Sequence, residues 1–92
     1  MAQRDVTVTF NSSTKNISVS PDPVQVKKAV DGVTWAGAHQ FAIVINGRST
    51  SSTGSGSQWT LTLGPWPDAG TIKYDVTASG YNDLDPDIEV LP

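Results

Sequence analysis

The sequence predicts an all-β domain, a two-sheet Greek-key β-sandwich of seven or eight strands that occupies residues 1–92 as one domain. The first observation behind this prediction is composition: Val, Ile and Thr fill 25 positions, and their branched side chains suit a pleated sheet better than a helix. The second is that short segments alternate apolar and polar residues, whereas no segment of useful length has a helical period. The third is length, because 92 residues support one compact core.

The first half of the chain is predicted to hold five strands. Residues 5–10 and 15–20 both alternate, and a polar turn separates them, so they should form a hairpin. Pro21 and Pro23 end this pairing because proline has no backbone N–H to donate. Three further strands are expected at residues 24–27, 33–35 and 41–45. The last of these is almost continuously apolar, which is typical of a strand covered on both faces.

The second half begins with a segment that we expect to be a mobile loop. Residues 48–57 contain seven Ser or Thr and two Gly, so they have little to bury, although the first of them could pair with residues 41–45 across the Asn46-Gly47 turn. The later strands are predicted from alternation at residues 58–63, 70–77 and 87–91. The inward residues of the first two are expected to be Trp59, Leu61, Leu63, Ile72, Tyr74 and Val76.

The composition argues against several classes of function. The absence of cysteine excludes disulfides, thiolate nucleophiles and thiolate metal sites. A Ser-His-Asp arrangement could use only His39, and residues 54–57 lack the strand-to-helix elbow that exposes a nucleophilic serine, so we expect no enzyme. A net charge of -3 argues against nucleic acid, and no apolar run is long enough to insert into a membrane. Met1 to Arg4 are followed by strand and not by an apolar signal core, so we expect either a cytoplasmic protein or, if a leader was removed, an extracytoplasmic one.

Acidic residues are concentrated toward the C-terminus. Six of the nine acids lie between Asp68 and Glu89, where Lys73 is the only base, so we expect one end of the molecule to be negative. Such a patch can steer a basic partner or a cation, and the simpler interpretation is a solvated face. Asp83, Asp85 and Asp87 have the spacing of a calcium loop, but Pro86 and Ile88 stand where such a loop needs other residues, which leaves weak calcium binding as an open alternative.

Three segments of the chain resemble the cupredoxins, the small blue-copper sandwich proteins. Residues 19–28 with Val33-Thr34-Trp35 are similar to the opening strands of that family, and His39-Gln40-Phe41-Ala42-Ile43 is similar to its first copper-binding histidine and the strand that follows. Residues 70–76 and 85–90 are similar to its last long strand and its closing strand. The resemblance implies a cupredoxin-like sandwich over roughly residues 15–92.

The same resemblance implies a degenerate copper site. His39 matches the first histidine, whereas Val76 stands at the cysteine position, Ser79 at the second histidine and Leu84 approximately at the axial methionine. A blue-copper centre needs two imidazoles and a thiolate with a weak axial group. We therefore expect no metal and no cofactor, with Val76 filling the space as part of the core.

Aromatic residues supply the remaining candidates for binding. Trp35 and Trp59 share faces with core residues and are predicted to be core. Trp66, between two prolines, and Tyr81, after a glycine, are predicted on loops, where they could stack on a sugar, grip a peptide or plug the ends of the sandwich.

The function we expect is that of a non-catalytic, metal-free cupredoxin-like module, a monomer with a structural or protein-interaction role. The alternative is a carbohydrate- or peptide-binding module that uses Trp66 and Tyr81. A metal-binding protein that uses His39 with carboxylates, and an immunoglobulin-type sandwich, remain lesser alternatives. The expected partner is a protein or a glycan, and not nucleic acid or a membrane.

Overall fold

All regular structure in the described part of the chain is β-strand, which confirms the all-β prediction. The structure is a computed structural model that describes residues 3–92, so Met1 and Ala2, which entered the expectation about a leader, lie outside the described residues. No helix among the described residues could cross a membrane. The described residues form eleven strands: β1 (Gln3–Asn11), β2 (Asn16–Ser20), β3 (Val24–Lys27), β4 (Gly32–Gly37), β5 (Ala42–Ile45), β6 (Arg48–Ser51), β7 (Thr53–Ser55), β8 (Gln58–Leu63), β9 (Gly70–Lys73), β10 (Asp75–Thr77) and β11 (Asp87–Leu91).

The strands form three sheets and give a sandwich-like fold. The largest has the order β2-β1-β4-β8-β7, and two smaller sheets have the orders β10-β5-β6 and β3-β11-β9. The predicted hairpin of the first two strands is confirmed by the antiparallel register of β1 and β2. Two pairs are parallel, β1 with β4 and β3 with β11, which requires the chain to cross between sheets before each pair can form.

The count of three sheets differs from the two that the sequence predicts, because the strand expected at residues 70–77 is interrupted at Tyr74. Its first half, β9, pairs with β11, and its second half, β10, pairs with β5. At the interruption the Tyr74 N–H donates to the Pro86 carbonyl oxygen at 3.0 Å. Because the backbone changes its pairing partner at Tyr74, one predicted strand becomes two strands that belong to different sheets. This raises the numbers of both strands and sheets.

The prediction of a mobile loop at residues 48–57 is wrong, whereas the pairing expected of its first residues with residues 41–45 is confirmed. This segment forms β6, which pairs with β5, and β7, which pairs with β8, and Ser52 is the buried residue between them. The Ser52 N–H donates to the Phe41 carbonyl oxygen at 2.8 Å, and the Phe41 N–H donates to Ser52 Oγ at 2.9 Å. Both strands are largely solvent-exposed, so their Ser- and Thr-rich sequence lacks the apolar alternation by which a strand is recognised.

The core is centred on the Trp35 and Tyr74 side chains. Both are almost fully buried, their ring centroids are 5.3 Å apart in an edge-to-face arrangement, and Trp35 Nε1 donates to Tyr74 Oη at 3.1 Å. The prediction that Trp35 belongs to the core is therefore confirmed. Trp59 is half-buried and packs on the edge of the core, because the register of β4 with β8 places it on the same face as Trp35. The buried apolar residues are Val6, Val8, Ile17, Val24, Val26, Val33, Trp35, Phe41, Ile43, Tyr74, Val76, Ile88 and Val90.

Strand β4 connects two ends of the molecule, which we name the Trp66 end and the Tyr81 end. At its first residue, the Gly32 Cα lies beside Gly64, and the Trp66 indole packs on Gly64. At its last residue, Gly37 lies under Phe10, whose ring contacts Tyr81. Six residues at about 3.3 Å per residue separate these two points by roughly 16 Å. The two loop aromatics that the sequence singles out are therefore too far apart to contact one small ligand together.

Candidate functional site

Three aromatic rings meet at the Tyr81 end. The centroids of Phe10 and His39 are 5.1 Å apart with planes at 89°, and those of Phe10 and Tyr81 are 5.1 Å apart at 66°. His39 and Tyr81 lie 6.0 Å apart at 36°. Edge-to-face contacts of this kind stabilise a pair by about 0.5–1.5 kcal/mol beyond area burial. We call Phe10, His39 and Tyr81 the three-ring cluster.

The three rings come from distant parts of the chain and are held there by the fold. Phe10 lies in β1 beyond Val8, the last residue of β1 that pairs with β4. Gly37 leaves room for the Phe10 ring, because a Cβ at Gly37 would lie only 3.0 Å from Phe10 Cε2. His39 lies in the connection from β4 to β5, and Tyr81 lies in the connection from β10 to β11. Sequence separation explains why the pattern of residues did not reveal the cluster.

Hydrogen bonds fix the loop that carries Tyr81. The Tyr81 N–H donates to the Ala78 carbonyl oxygen at 3.1 Å. The next residue, Asn82, donates its N–H to the Lys15 carbonyl oxygen at 2.7 Å and its Nδ2 to Asn16 Oδ1 at 3.0 Å. Because these bonds join the loop to the start of β2, the Tyr81 ring is presented by a braced loop.

An open cleft lies on each side of the exposed His39 side chain. One, of about 530 Å³, is lined by His39 and Tyr81 together with Ser79, Ala42 and Thr77. The other, of about 600 Å³, is lined by His39 and Phe10 together with Trp59, whose Nε1 donates to the Gly56 carbonyl oxygen at 3.0 Å. These volumes are within the range that accommodates a small ligand or an anchoring side chain. The residues that the sequence did not reveal as cleft residues are Phe10 and Trp59, because the prediction placed Trp59 in the core and gave Phe10 no role.

Charges of both signs lie in and near the loop that carries Tyr81. Asp83 and Asp85 are exposed in the Tyr81 loop, and Asp87 begins β11. Lys15 Nζ lies 5.7 Å from the Tyr81 ring centroid, a cation–π distance. Lys73 Nζ donates to Asp87 Oδ1 at 3.1 Å, and this hydrogen bond raises the pKa of Lys73.

The acids do not all lie at one end. Asp68 follows Trp66 in the connection from β8 to β9, at the opposite end of the molecule from the Tyr81 loop. The acids of the C-terminal quarter are therefore divided between the two ends of the molecule and do not form one patch.

The four positions of the degenerate copper site are not equivalent in the structure. His39 and Ser79 line the same cleft, whereas Val76 is fully buried and pairs with Ile43. Leu84 is joined to Val76 by a backbone bridge, with N–H to oxygen hydrogen bonds of 2.8 and 3.1 Å. These side chains supply one imidazole and no thiolate, a donor set that does not fit a blue-copper ion.

The calcium alternative finds no support in the placement of the carboxylates. Within residues 3–92, no group of three or more His, Asp or Glu side chains is close enough to hold a metal ion, and Asp83, Asp85 and Asp87 are no exception. Asp87 instead accepts a hydrogen bond from Lys73, and its N–H donates to Asp22 Oδ1 at 3.2 Å.

Trp66 forms a separate candidate site at the other end. Its indole is half-buried, and its carbonyl oxygen accepts a hydrogen bond from the Ala29 N–H at 2.7 Å. It borders a cavity of about 460 Å³. The remaining side chains and backbone around this cavity belong to Ile45, Asn46, Arg48, Thr50, Leu63, Gly64 and Pro65.

Comparison with known proteins assigns the chain to no family. None of the protein-family models matches it, and none of the curated proteins is significantly similar to it.

Proposed function

We propose that this chain is a non-catalytic, metal-free module with a cupredoxin-like Greek-key fold, and that it serves as a monomeric protein-interaction domain through its Tyr81 end. The observation that carries the proposal is the three-ring cluster with an open cleft on each side of His39. Aromatic side chains on a rigid scaffold are the residues that most often dominate binding energy in protein interfaces.

The chain path supports the Greek-key and cupredoxin-like part of the proposal. The connections β2–β3, β3–β4, β4–β5, β6–β7 and β8–β9 each leave one of the sheets and enter another, as Greek-key sandwiches require. Val76 is buried where the resemblance expects a metal ligand, and it packs as an ordinary core residue. The space of a metal site is occupied by core side chains, and the loop that carries Tyr81 is fixed by hydrogen bonds. This arrangement favours binding of a partner over binding of an ion.

The partner class follows from the chemistry of the Tyr81 end. One cleft offers aromatic and small side chains, such as those of Tyr81 and Ala42, for an apolar or aromatic anchor. Asp83 and Asp85, which are exposed in the loop that carries Tyr81, attract positive charge. We therefore expect a peptide segment that carries an aromatic residue flanked by Lys or Arg.

Peptide selection tests this expectation directly. Peptides selected from a random displayed library against the immobilised domain should share an aromatic residue next to basic residues, and amide shift mapping should place them at His39, Trp59 and Tyr81. Tyr81→Ala should weaken binding at least about tenfold, the order expected for an aromatic anchor. A matched control is Val30→Ala, which removes an exposed apolar side chain at the Trp66 end and should leave affinity unchanged.

Other outcomes would contradict the proposal. Selected peptides without a common pattern, or shifts confined to residues away from the three-ring cluster, would remove the assignment of this end as the interaction site. Binding of members of a neutral glycan panel at Tyr81, with no peptide selected, would favour the carbohydrate alternative.

Copper loading tests the metal-free part of the proposal. Protein soaked in Cu²⁺ and desalted is expected to carry no stoichiometric metal, because one imidazole cannot hold the ion against buffer ligands. Metal analysis of the desalted protein measures this. Retained copper that disappears in His39→Ala would contradict the proposal and support the metal-binding alternative.

A further inference from the structure

The cavity at the Trp66 end has the composition of a small-molecule site. A half-buried indole and the apolar side chains of Ile45 and Leu63 border it, together with the polar side chains of Asn46, Arg48 and Thr50. Ligand sites of a few hundred Å³ commonly combine an apolar or aromatic wall with a small number of polar groups that orient the ligand. This cavity is separate from the Tyr81 end and is not used by the proposed peptide site.

The indole is held in a defined position. It packs on Gly64, where a Cβ would lie 2.8 Å from Trp66 Cζ3, and Gly64 itself lies against Gly32. The hydrogen bond from Ala29 to the Trp66 carbonyl oxygen anchors the backbone on the other side. A ring fixed in this way can stack on a ligand without a large loss of side-chain entropy.

Most of the basic residues of the chain lie at this end, where the acids Asp31 and Asp68 also lie. Four of the six Lys and Arg residues lie here: Arg4 and Arg48 at the starts of their strands, and Lys27 and Lys28 just before Ala29. Arg4 Nε is 3.4 Å from Asp31 Oδ2, which also accepts the Lys27 N–H at 2.9 Å. Arg48, by contrast, forms no salt bridge with any residue in the described part of the chain. Its guanidinium is therefore available to a ligand carboxylate.

We propose that the Trp66 cavity binds a carboxylate-bearing sugar, a uronic acid residue of an acidic oligosaccharide. The C–H face of the pyranose would stack on the Trp66 indole, and the carboxylate would pair with Arg48. The amide of Asn46 and the hydroxyl of Thr50 would meet the sugar hydroxyls. A neutral sugar keeps the stacking contact and loses the ion pair, so the site should discriminate between the two.

Titration with trigalacturonic acid tests this site, and its methyl ester is the matched neutral ligand. Tryptophan fluorescence and amide shifts should report binding of the acid at Trp66 and Arg48, and the ester should bind at least about tenfold more weakly, the loss expected when a charge-assisted hydrogen bond is removed. Raising the salt concentration should weaken binding of the acid, since the pair is exposed. Arg48→Gln should reproduce the loss seen with the ester.

Lys15→Gln is the matched control, because it removes an exposed positive charge at the Tyr81 end and should leave the affinity unchanged. The proposal is overturned if the acid does not bind at millimolar concentration, if acid and ester bind equally, or if Arg48→Gln has no effect. Equal losses from Lys15→Gln and Arg48→Gln would also overturn it, because they would show general attraction of an anion. Peptide selection at the Tyr81 end is independent of every one of these results.

Discussion

Replacing Gly64 with alanine is expected to lower the free energy of unfolding by about 3 kcal/mol and to displace the Trp66 indole. Gly64 has φ of +96°, a conformation that L side chains rarely adopt. A Cβ there would also lie 2.8 Å from Trp66 Cζ3 and 3.1 Å from Gly32 Cα. Because Gly32 Cα belongs to the backbone of a paired strand, it cannot move aside easily. Denaturant unfolding measures the first effect, and tryptophan fluorescence of the folded protein measures the second.

A second glycine separates backbone strain from the steric clash at Gly64. Gly80 has φ of +84°, and a Cβ there would meet nothing within 4 Å. Gly80→Ala should therefore cost only the strain, about 1 kcal/mol, and should leave Trp66 in place. Equal losses of stability in the two variants would show that Trp66 does not pack on Gly64 as described.

Stability is expected to fall between about pH 10 and pH 12, and Tyr74 is the residue responsible. Burial raises the pKa of Tyr74 to about 12, although the hydrogen bond from Trp35 opposes this shift. In the unfolded chain the tyrosine pKa is near 10, so the unfolded chain loses the Tyr74 proton at a lower pH than the folded protein does. The contribution of Tyr74 to stability is therefore complete below about pH 10 and decreases as the pH rises through the pKa of the folded state. The slope should approach about 1.4 kcal/mol per pH unit within this window.

Tyr74→Phe tests the assignment. The variant should lose about 1–3 kcal/mol at neutral pH, because the buried Trp35 Nε1–H is left without its acceptor. It should also lose most of the alkaline decline in stability, measured by denaturant unfolding at each pH. Tyr81→Phe, at a half-exposed position, is the control and should retain the decline. A Tyr74→Phe protein whose stability still falls between pH 10 and pH 12 would assign the effect to another group.

The end of the molecule at which a side chain lies could not be predicted from alternation. Trp66 and Tyr81 are both on connections, as expected, but they lie at opposite ends because the connections from β8 to β9 and from β10 to β11 occur at opposite ends of the strands. Phe10 and Trp59 each lie where a neighbouring strand ends, so part of each ring borders a cleft. Alternation with a period of two indicates on which face of a strand a side chain lies. It does not indicate near which end of the molecule that side chain lies.

The exposed strands β6 and β7 also could not be predicted from alternation. The segment that forms β6 and β7 has polar residues on both faces, because it runs along the rim of the molecule and buries mainly Ser52. Its pairing comes from backbone hydrogen bonds to β5 and β8, for which the side chains carry no signal. Local composition therefore favoured a loop.

Residue type and spacing alone were sufficient for the all-β class, the first hairpin, the burial of Trp35, Tyr74 and Val76, and the absence of a blue-copper donor set. Each depends on neighbouring residues or on composition, and both can be read along the chain. Only the tertiary structure decided that Phe10, His39 and Tyr81 meet, that Trp66 shares a cavity with Arg48, and that the two aromatic sites are separate. Those contacts join residues far apart in sequence, and they arise only when the sheets pack and the connections between them take their positions.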